Sequence, residues 1–248
     1  MSTALLPPWR DDWALFLDVD GTLLEIAPTP AAVTVPARAI ELLAQLRDRL
    51  SGALALVSGR TLADLDRLWS PLRVAMAGAH GAERRSASGI VQRYGDGSAL
   101  APARQLLGDW VRAHAGALLE DKKIALALHF RQVPELELEA RRVVADVASA
   151  MGPRFCVQDG KRVLEIKEAA TDKGQAIAAF MAEEPFAGRI PVFVGDDLTD
   201  EDGFARVNLL GGHSIAVGAR RHTEARWRLA DERQVLEWLE TNARKAAS

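Results

Sequence analysis

The chain has 248 residues, 48% apolar and 26% charged, with a formal net charge of -3; such a globular chain can bury a full core in one large domain or two modest ones. That balance excludes a nucleic-acid binder, which needs a basic excess to neutralise phosphates, and the pairs Arg84-Arg85, Arg141-Arg142 and Arg220-Arg221 read as solvated surface. No apolar run reaches a membrane span, no basic-then-apolar leader opens the chain, and the single cysteine, Cys156, excludes an intrachain disulfide or cysteine zinc cluster; a reducing cytoplasm is expected, with Cys156 a small buried hydrophobe.

The run from Trp13 to Leu23 reads as an apolar strand that ends in Asp18, Asp20, Gly21 and Thr22. Carboxylates at i and i+2, at the carboxyl end of a strand in a parallel sheet, stand where open α/β folds keep their ligands. Their closeness is costly unless a cation or a proton separates them. Thr22 is expected to order the loop after Asp20. Pro36 to Leu50 predicts a helix with Ile40, Leu43, Leu46 and Leu50 on its buried face. A second buried strand, Ala53 to Val57, leads to Ser58-Gly59-Arg60, and Thr61 with Asp64 resembles a capping box opening the next helix. Glu83 to Arg93 predicts a hairpin with Ser88-Gly89 at its turn.

Helices are predicted over Ala101 to Leu119 and Pro134 to Met151. Between them Ile124, Leu126, Leu128 and Phe130 alternate with Ala125, Ala127, His129 and Arg131, a strand with one apolar face. Phe155 to Gln158 and Lys161 to Ile166 read as strands joined at Asp159-Gly160, a two-residue hairpin signal. Thr171-Asp172-Lys173-Gly174 then opens a helix through Ile177, Phe180 and Met181, and a third buried strand, Ile190 to Val194, ends at Gly195-Asp196-Asp197. Trp69, Trp110, Trp227 and Trp238 sit at helical spacings with leucines and are expected in the core, whereas His114, His213 and His222 read as structural or surface residues.

Alternation of strand and helix predicts a doubly wound α/β core over residues 1–98 and 170–248. Residues 99–169 lack the βαβ rhythm and predict an inserted α+β module. One face of its sheet would carry His129, Arg131, Glu165 and Lys167, suited either to a polyhydroxylated anionic ligand or to ordinary solvated ion pairs. The strand ends suit phosphoryl transfer from an ester. Asp18 could attack phosphorus, and Asp20 could protonate the leaving oxygen and then activate water. Ser58 and Lys173 offer a hydroxyl and a point charge to the phosphate, and Asp18 with Asp196 suit Mg2+, which prefers a few carboxylates plus phosphate and water.

Asp18-Val19-Asp20-Gly21-Thr22, Ser58, Lys173 and Gly195-Asp196-Asp197-Leu198-Thr199-Asp200 resemble, in order, the four motifs of the haloacid dehalogenase (HAD) superfamily of aspartate-nucleophile phosphatases. The resemblance implies a Rossmann-like core with a C2-type cap and makes Asp18 the nucleophile and Asp20 the general acid/base. It also implies metal ligation by Asp18, Asp196 and the Asp20 carbonyl, support from Asp197 and Asp200, and phosphate binding by Ser58 and Lys173.

Val57 to Arg60, Gly78 to Glu83, Glu120-Asp121-Lys122 with His129-Phe130-Arg131, and Val163 to Lys167 narrow the resemblance to trehalose-6-phosphate phosphatases, from about Trp13 to about Trp238. It implies Mg2+-dependent hydrolysis of trehalose 6-phosphate to trehalose and phosphate through an aspartyl-phosphate, with a cap closing over the sugar. Lys122, His129, Arg131 and Glu165 would contact substrate, Glu165 first among them because a carboxylate accepts two sugar hydroxyls. Glu83, at the passage from core to cap, is a further candidate. Arg60 either positions substrate or pairs with a nearby acid, and His80 either borders the cleft or is structural. Strict alternation puts Lys123, not Lys122, on the His129 face, so a bulge or strand start must intervene. Phe130 stands where tyrosine is common in the family, and Glu168 where proline is frequent. A trehalose-6-phosphate synthase is a candidate partner. The rival readings are a phosphatase for sucrose phosphate or glucosylglycerol phosphate, and a catalytically silent sugar-phosphate sensor or synthase subunit, which the presence of Asp18, Asp20, Lys173 and Asp196 disfavours.

Overall fold

The computed structural model describes residues 6–27, 32–95, 97–220 and 222–244. The chain opens with β1 (Trp13–Leu17), α1 (Ala37–Arg49), β2 (Leu54–Val57), α2 (Leu62–Trp69), β3 (Ala75–Gly78), β4 (Glu83–Arg85) and β5 (Val91–Arg93). There follow α3 (Ala101–Ala113), β6 (Leu118–Asp121), β7 (Leu126–His129), α4 (Glu137–Met151), β8 (Phe155–Gly160) and β9 (Val163–Glu168). The last part holds α5 (Lys173–Met181), β10 (Ile190–Gly195), α6 (Glu201–Leu209), β11 (His213–Val217), β12 (Trp227–Leu229) and α7 (Glu232–Arg244). Two units divide at Gln92/Arg93 and Asp172/Lys173. Among the described residues no helix is long and apolar enough to cross a membrane.

The outer unit of the sequence is an α/β layer structure. All five residues of β1 are sealed from solvent, which an apolar strand achieves only inside a sheet covered on both faces. The sheet runs β12-β11-β10-β1-β2-β3-β4-β5, parallel from β12 to β3, with β4 antiparallel to β3. From β1 the chain winds outward through β2 and β3, and from β10 it winds the other way through β11 and β12. The reversal lies between β1 and β10, so a crevice is expected at their carboxyl ends. Phe16, Phe180 and Phe186 stack beneath the sheet with centroids 5.2–6.0 Å apart. Trp69 is buried, whereas Trp227 and Trp238 are partly buried against the core.

Residues 93–172 form the second unit, an α+β sandwich whose antiparallel sheet runs β6-β7-β9-β8. Leu126, Leu128 and Phe130 meet Leu164 and Ile166, and with Leu107 of α3 and Val144 of α4 they make its core. The period-two reading of β7 is therefore met: its apolar face is the one packed on the helices.

Four local expectations change. The helix predicted to Leu119 stops at Ala113, because Gly116 takes φ +95° and Leu118–Asp121 pairs with β7 as a strand. The β8–β9 turn is Lys161-Arg162 rather than Asp159-Gly160, since Gly160 pairs with Val163 and Arg162 takes the positive φ of +61°. Pairing of the adjacent residues moves by an even number, so every side chain keeps its face. Cys156 is half-buried on β8 rather than sealed in a core, and Trp110 lies partly exposed on α3, donating to Glu139 at 2.9 Å.

Candidate active site

Asp18 is the first residue after β1, and its backbone N–H continues the ladder to the Val194 carbonyl of β10 (3.0 Å). The strand thus delivers the carboxylate to the switch point. Asp18 is buried, with Oδ1 accepting from Lys173 Nζ (2.7 Å) and Oδ2 from the Thr22 hydroxyl (3.1 Å). Lys173, the first residue of α5, also donates to Asp200 Oδ1 at 2.6 Å. The other oxygen of Asp200 accepts the backbone N–H groups of Asp196 and Asp197, both at 2.9 Å, so this sealed side chain fixes the loop that presents Asp196. Asp197 caps the same turn by accepting from the Leu198 N–H.

Asp18, Asp196 and Asp200 each offer an oxygen within 4.8 Å of the others, all three buried. Three carboxylates surround one ammonium, a formal excess of two negative charges that a divalent cation would cancel. Hard oxygen donors are also the set that Mg2+ takes. The donor set therefore fits a metal. Burial, the largest influence, pushes the Asp18 carboxyl well above the usual carboxylate range; Lys173 opposes this, and Asp200 and Asp196 add to it. For Lys173, burial acts against the charge, but Asp18 and Asp200 outweigh it and hold the ammonium protonated. Gly21 takes φ +81°, and a Cβ there would lie 2.1 Å from Asp196 Oδ2. Only glycine lets the Asp18 loop and the Asp196 loop approach so closely.

Asp20 stands apart from that cluster. Its two oxygens are gripped by Arg60, through Nε and Nη2 at 2.7 Å each, the bidentate geometry in which guanidinium and carboxylate pair best. Of the two expectations for Arg60, the pairing with a nearby acid is the one formed. The Arg60 N–H in turn donates to Ser58 Oγ (3.2 Å), just past β2. Ala79 and His80 take left-handed φ values of +46° and +53°, a conformation that costs about 1–3 kcal/mol for residues other than glycine. Their N–H groups hold the Arg60 and Ser58 carbonyls at 2.7 and 3.0 Å, and a Cβ on Gly59 would strike the His80 ring at 2.6 Å. Glu83 is buried and accepts the Leu62 N–H (2.8 Å), satisfying an open donor at the start of α2. Arg60, His80 and Glu83 thus make a clasp that fixes Ser58 and Asp20.

In the second unit a row of directly opposed residues crosses all four strands: Glu120, Ala127, Glu165 and Gln158. Opposed residues share a face, so these lie on the side away from the helices. Lys122 Nζ forms a buried ion pair with Glu165 Oε2, and His129 Nε2 meets Glu120 Oε2 at 2.8 Å. Arg131 donates to the Lys161 carbonyl in the β8–β9 turn. Of the two expectations for Lys122, a bulge or a strand start, the start is the one formed, since β7 begins only at Leu126. The Lys122 N–H bonds to the Ala125 carbonyl and Lys123 turns the chain at φ +69°; Lys122, the first residue past β6, thus continues the parity of Glu120, which is counted along β6 rather than along β7. Glu120 was not singled out from the sequence. Burial acts to raise its carboxyl, yet the His129 hydrogen bond and the Lys122 charge prevail and hold it below the ordinary range. Its spacing of two from Lys122 was the available signal.

The family model for trehalose-phosphatase matches residues 16–233. Trehalose-6-phosphate phosphatase of Escherichia coli is 47% identical over 235 residues, covering 94% of this chain and 88% of that protein. A probable trehalose-phosphate phosphatase of Sinorhizobium fredii is 45% identical, covering 84% and 78%. The C-terminal domain of Candida albicans trehalose-6-phosphate phosphatase superposes with a TM-score of 0.83 at 24% identity, over 93% of this chain and 91% of that one. A phosphatase of the HAD superfamily from Bacteroides thetaiotaomicron gives 0.65 at 16%, over 98% and 99%; these two likenesses concern the fold. The family match spans both the strand-end carboxylates and the four-stranded sheet, and on that ground the chain belongs to the trehalose-phosphatase family.

Proposed function

We propose that this chain is a Mg2+-dependent phosphatase that hydrolyses trehalose 6-phosphate to trehalose and phosphate through an aspartyl-phosphate on Asp18. The observation that carries the chemistry is the pairing of unlike environments for the two acids. Asp18 is buried among Lys173, Thr22 and two further carboxylates, whereas Asp20 is part-exposed and paired with Arg60. An Asp18 oxygen attacks phosphorus while the bond from phosphorus to the sugar oxygen breaks, and Asp20 gives that oxygen its proton. Asp20 then takes a proton from water as the water oxygen attacks the same phosphorus and the bond from phosphorus to the Asp18 oxygen breaks, which releases phosphate and returns Asp18 as the carboxylate and Asp20 as the acid. Arg60 occupies both Asp20 oxygens, so Asp20 must exchange at least one of those bonds for the substrate oxygen before it transfers a proton.

Asp18, Asp196 and the Asp20 carbonyl would hold the ion, with Asp200 and Asp197 ordering the loop around it. When bound, Mg2+ supplies positive charge to the phosphoryl oxygens and neutralises the acidic excess. Ser58 and Lys173 bind the phosphoryl oxygens. We assign residues 99–169 as the cap that recognises the sugar, through Lys122, His129, Arg131, Glu165 and the added Glu120.

The test is phosphate release from trehalose 6-phosphate, sucrose 6-phosphate, glucosylglycerol phosphate and p-nitrophenyl phosphate, with Mg2+ or with chelator, for the wild type and Asp18→Asn. Turnover of trehalose 6-phosphate above the rest, abolished by chelator and by the variant, is expected. Activity that survives either treatment overturns the mechanism, and preference for another sugar phosphate overturns the substrate.

A further inference from the structure

We propose that Gln158 is a further specificity-determining residue of the sugar site, an inference that rests on the substrate class assigned above. Gln158 stands directly opposite Glu165 in the β8–β9 ladder, and opposed Cβ atoms in such a ladder are about 5 Å apart. It therefore extends the row Glu120–Ala127–Glu165 to the outermost strand, on the same face. Glu120 and Glu165 stand two strands apart, roughly 10 Å, with the Ala127 methyl as the floor between them and the Lys122 side chain reaching across it to Glu165. The next row repeats the pattern. Lys122 pairs with Ala125 across the turn, and Lys167 pairs with Cys156. The floor of this face along β7 is thus two alanines, and charged side chains rise on both flanks.

The polar groups on the flanks are committed. Lys122 is bonded to Glu165, Glu120 to His129, and the buried Lys167 ammonium to the Thr171 carbonyl. Gln158 differs. It is half-buried, and among the described residues its side-chain amide makes no hydrogen bond within the protein. The chemistry needed there is also distinct. Carboxylates only accept, so Glu120 and Glu165 read a sugar hydroxyl solely as a donor; the Gln158 amide both donates and accepts. An amide beside a carboxylate at this spacing suits two neighbouring hydroxyls of a pyranose ring, one giving its proton to Glu165 and the next receiving from the Gln158 amino group. A face of acceptors alone would bind many polyols; the amide fixes which hydroxyl lies beside which.

The test uses Gln158→Met, which keeps length and removes the hydrogen bonds, and Gln158→Leu as a second variant, each checked for a wild-type circular dichroism spectrum. The expected result is a fall of roughly tenfold in the ratio of kcat/KM for trehalose 6-phosphate to that for p-nitrophenyl phosphate, the size of one lost neutral hydrogen bond. Inhibition of p-nitrophenyl phosphate hydrolysis by trehalose should weaken by a similar factor. A ratio and an inhibition constant both within twofold of wild type overturn the role of Gln158. The substrate reading fails separately: a wild type that does not prefer trehalose 6-phosphate to glucose 6-phosphate overturns that assignment, and this inference with it.

Discussion

Asp200→Asn removes a charge without changing shape, at a side chain with no solvent exposure. Both Asp200 oxygens are acceptors, one for the Lys173 ammonium at 2.6 Å and the other for two backbone N–H groups at 2.9 Å. Asparagine has one oxygen. In either orientation its amino group faces a donor, and Lys173 keeps only Asp18 as counter-ion. The lost charge-assisted bond costs about 1.5–3 kcal/mol, and the Asp18 partner at 2.7 Å keeps the Lys173 charge compensated. For a unit of this size that cost lowers Tm by roughly 3–12 °C. Thermal unfolding followed by circular dichroism at pH 7 in chelator measures it, alongside Lys173→Met and the double variant. The double should be at least about 1 kcal/mol more stable than the sum of the singles, because both substitutions remove the same bond between Lys173 and Asp200. Additive effects, or Asp200→Asn melting within about 2 °C of wild type, would refute the reasoning.

Most of the core site was legible because it sits where a periodic signal stops. A strand such as Trp13–Leu17 must be apolar on both faces to lie inside a parallel sheet, so a polar residue at its end stands out. Asp18, Ser58 and Asp196 were each found at such an end. Partnerships were less legible. Nothing in the spacing of Asp20 and Arg60 says that the guanidinium takes both oxygens, or that Ala79, His80 and Glu83 tie Arg60, Ser58 and Leu62 into one clasp, since these bonds join residues up to 40 positions apart. In the second unit, alternation along β7 placed His129 and could not by itself place Lys122, because a parity count fails across the turn that precedes the strand. Glu120 stayed hidden for the same reason. Its face is defined by pairing with Ala127, and pairing is a property of two strands, not of one stretch of sequence.

Three further perturbations probe these arrangements. Gly21→Ala forces a Cβ to within 2.1 Å of Asp196 Oδ2 at a φ of +81°; kcat should fall by about 100-fold or more, as a displacement of about 1 Å in a catalytic group costs, and calorimetric Mg2+ affinity should fall with it. Wild-type Mg2+ binding in this variant would overturn the close approach of the two loops. Lys122→Met leaves Glu165 buried without its counter-ion and should destabilise the protein by about 3–5 kcal/mol in urea unfolding; Glu165→Gln added to it should recover part of that loss, and no recovery would refute the pairing. Glu120→Gln tests the acid limb of stability. The Glu120 carboxyl lies below its ordinary value of 4.5 when folded, so its contribution is present above the unfolded value and is lost as pH falls through the folded one. Between roughly pH 5 and 3 the variant should therefore lose less stability than wild type. It retains a residual slope, because Arg104 holds the Asp121 carboxyl low in the same unit. Parallel limbs for the two proteins would show that the His129 and Lys122 contacts do not hold Glu120 ionised, and the polar row would then lose the acceptor assigned to its β6 flank.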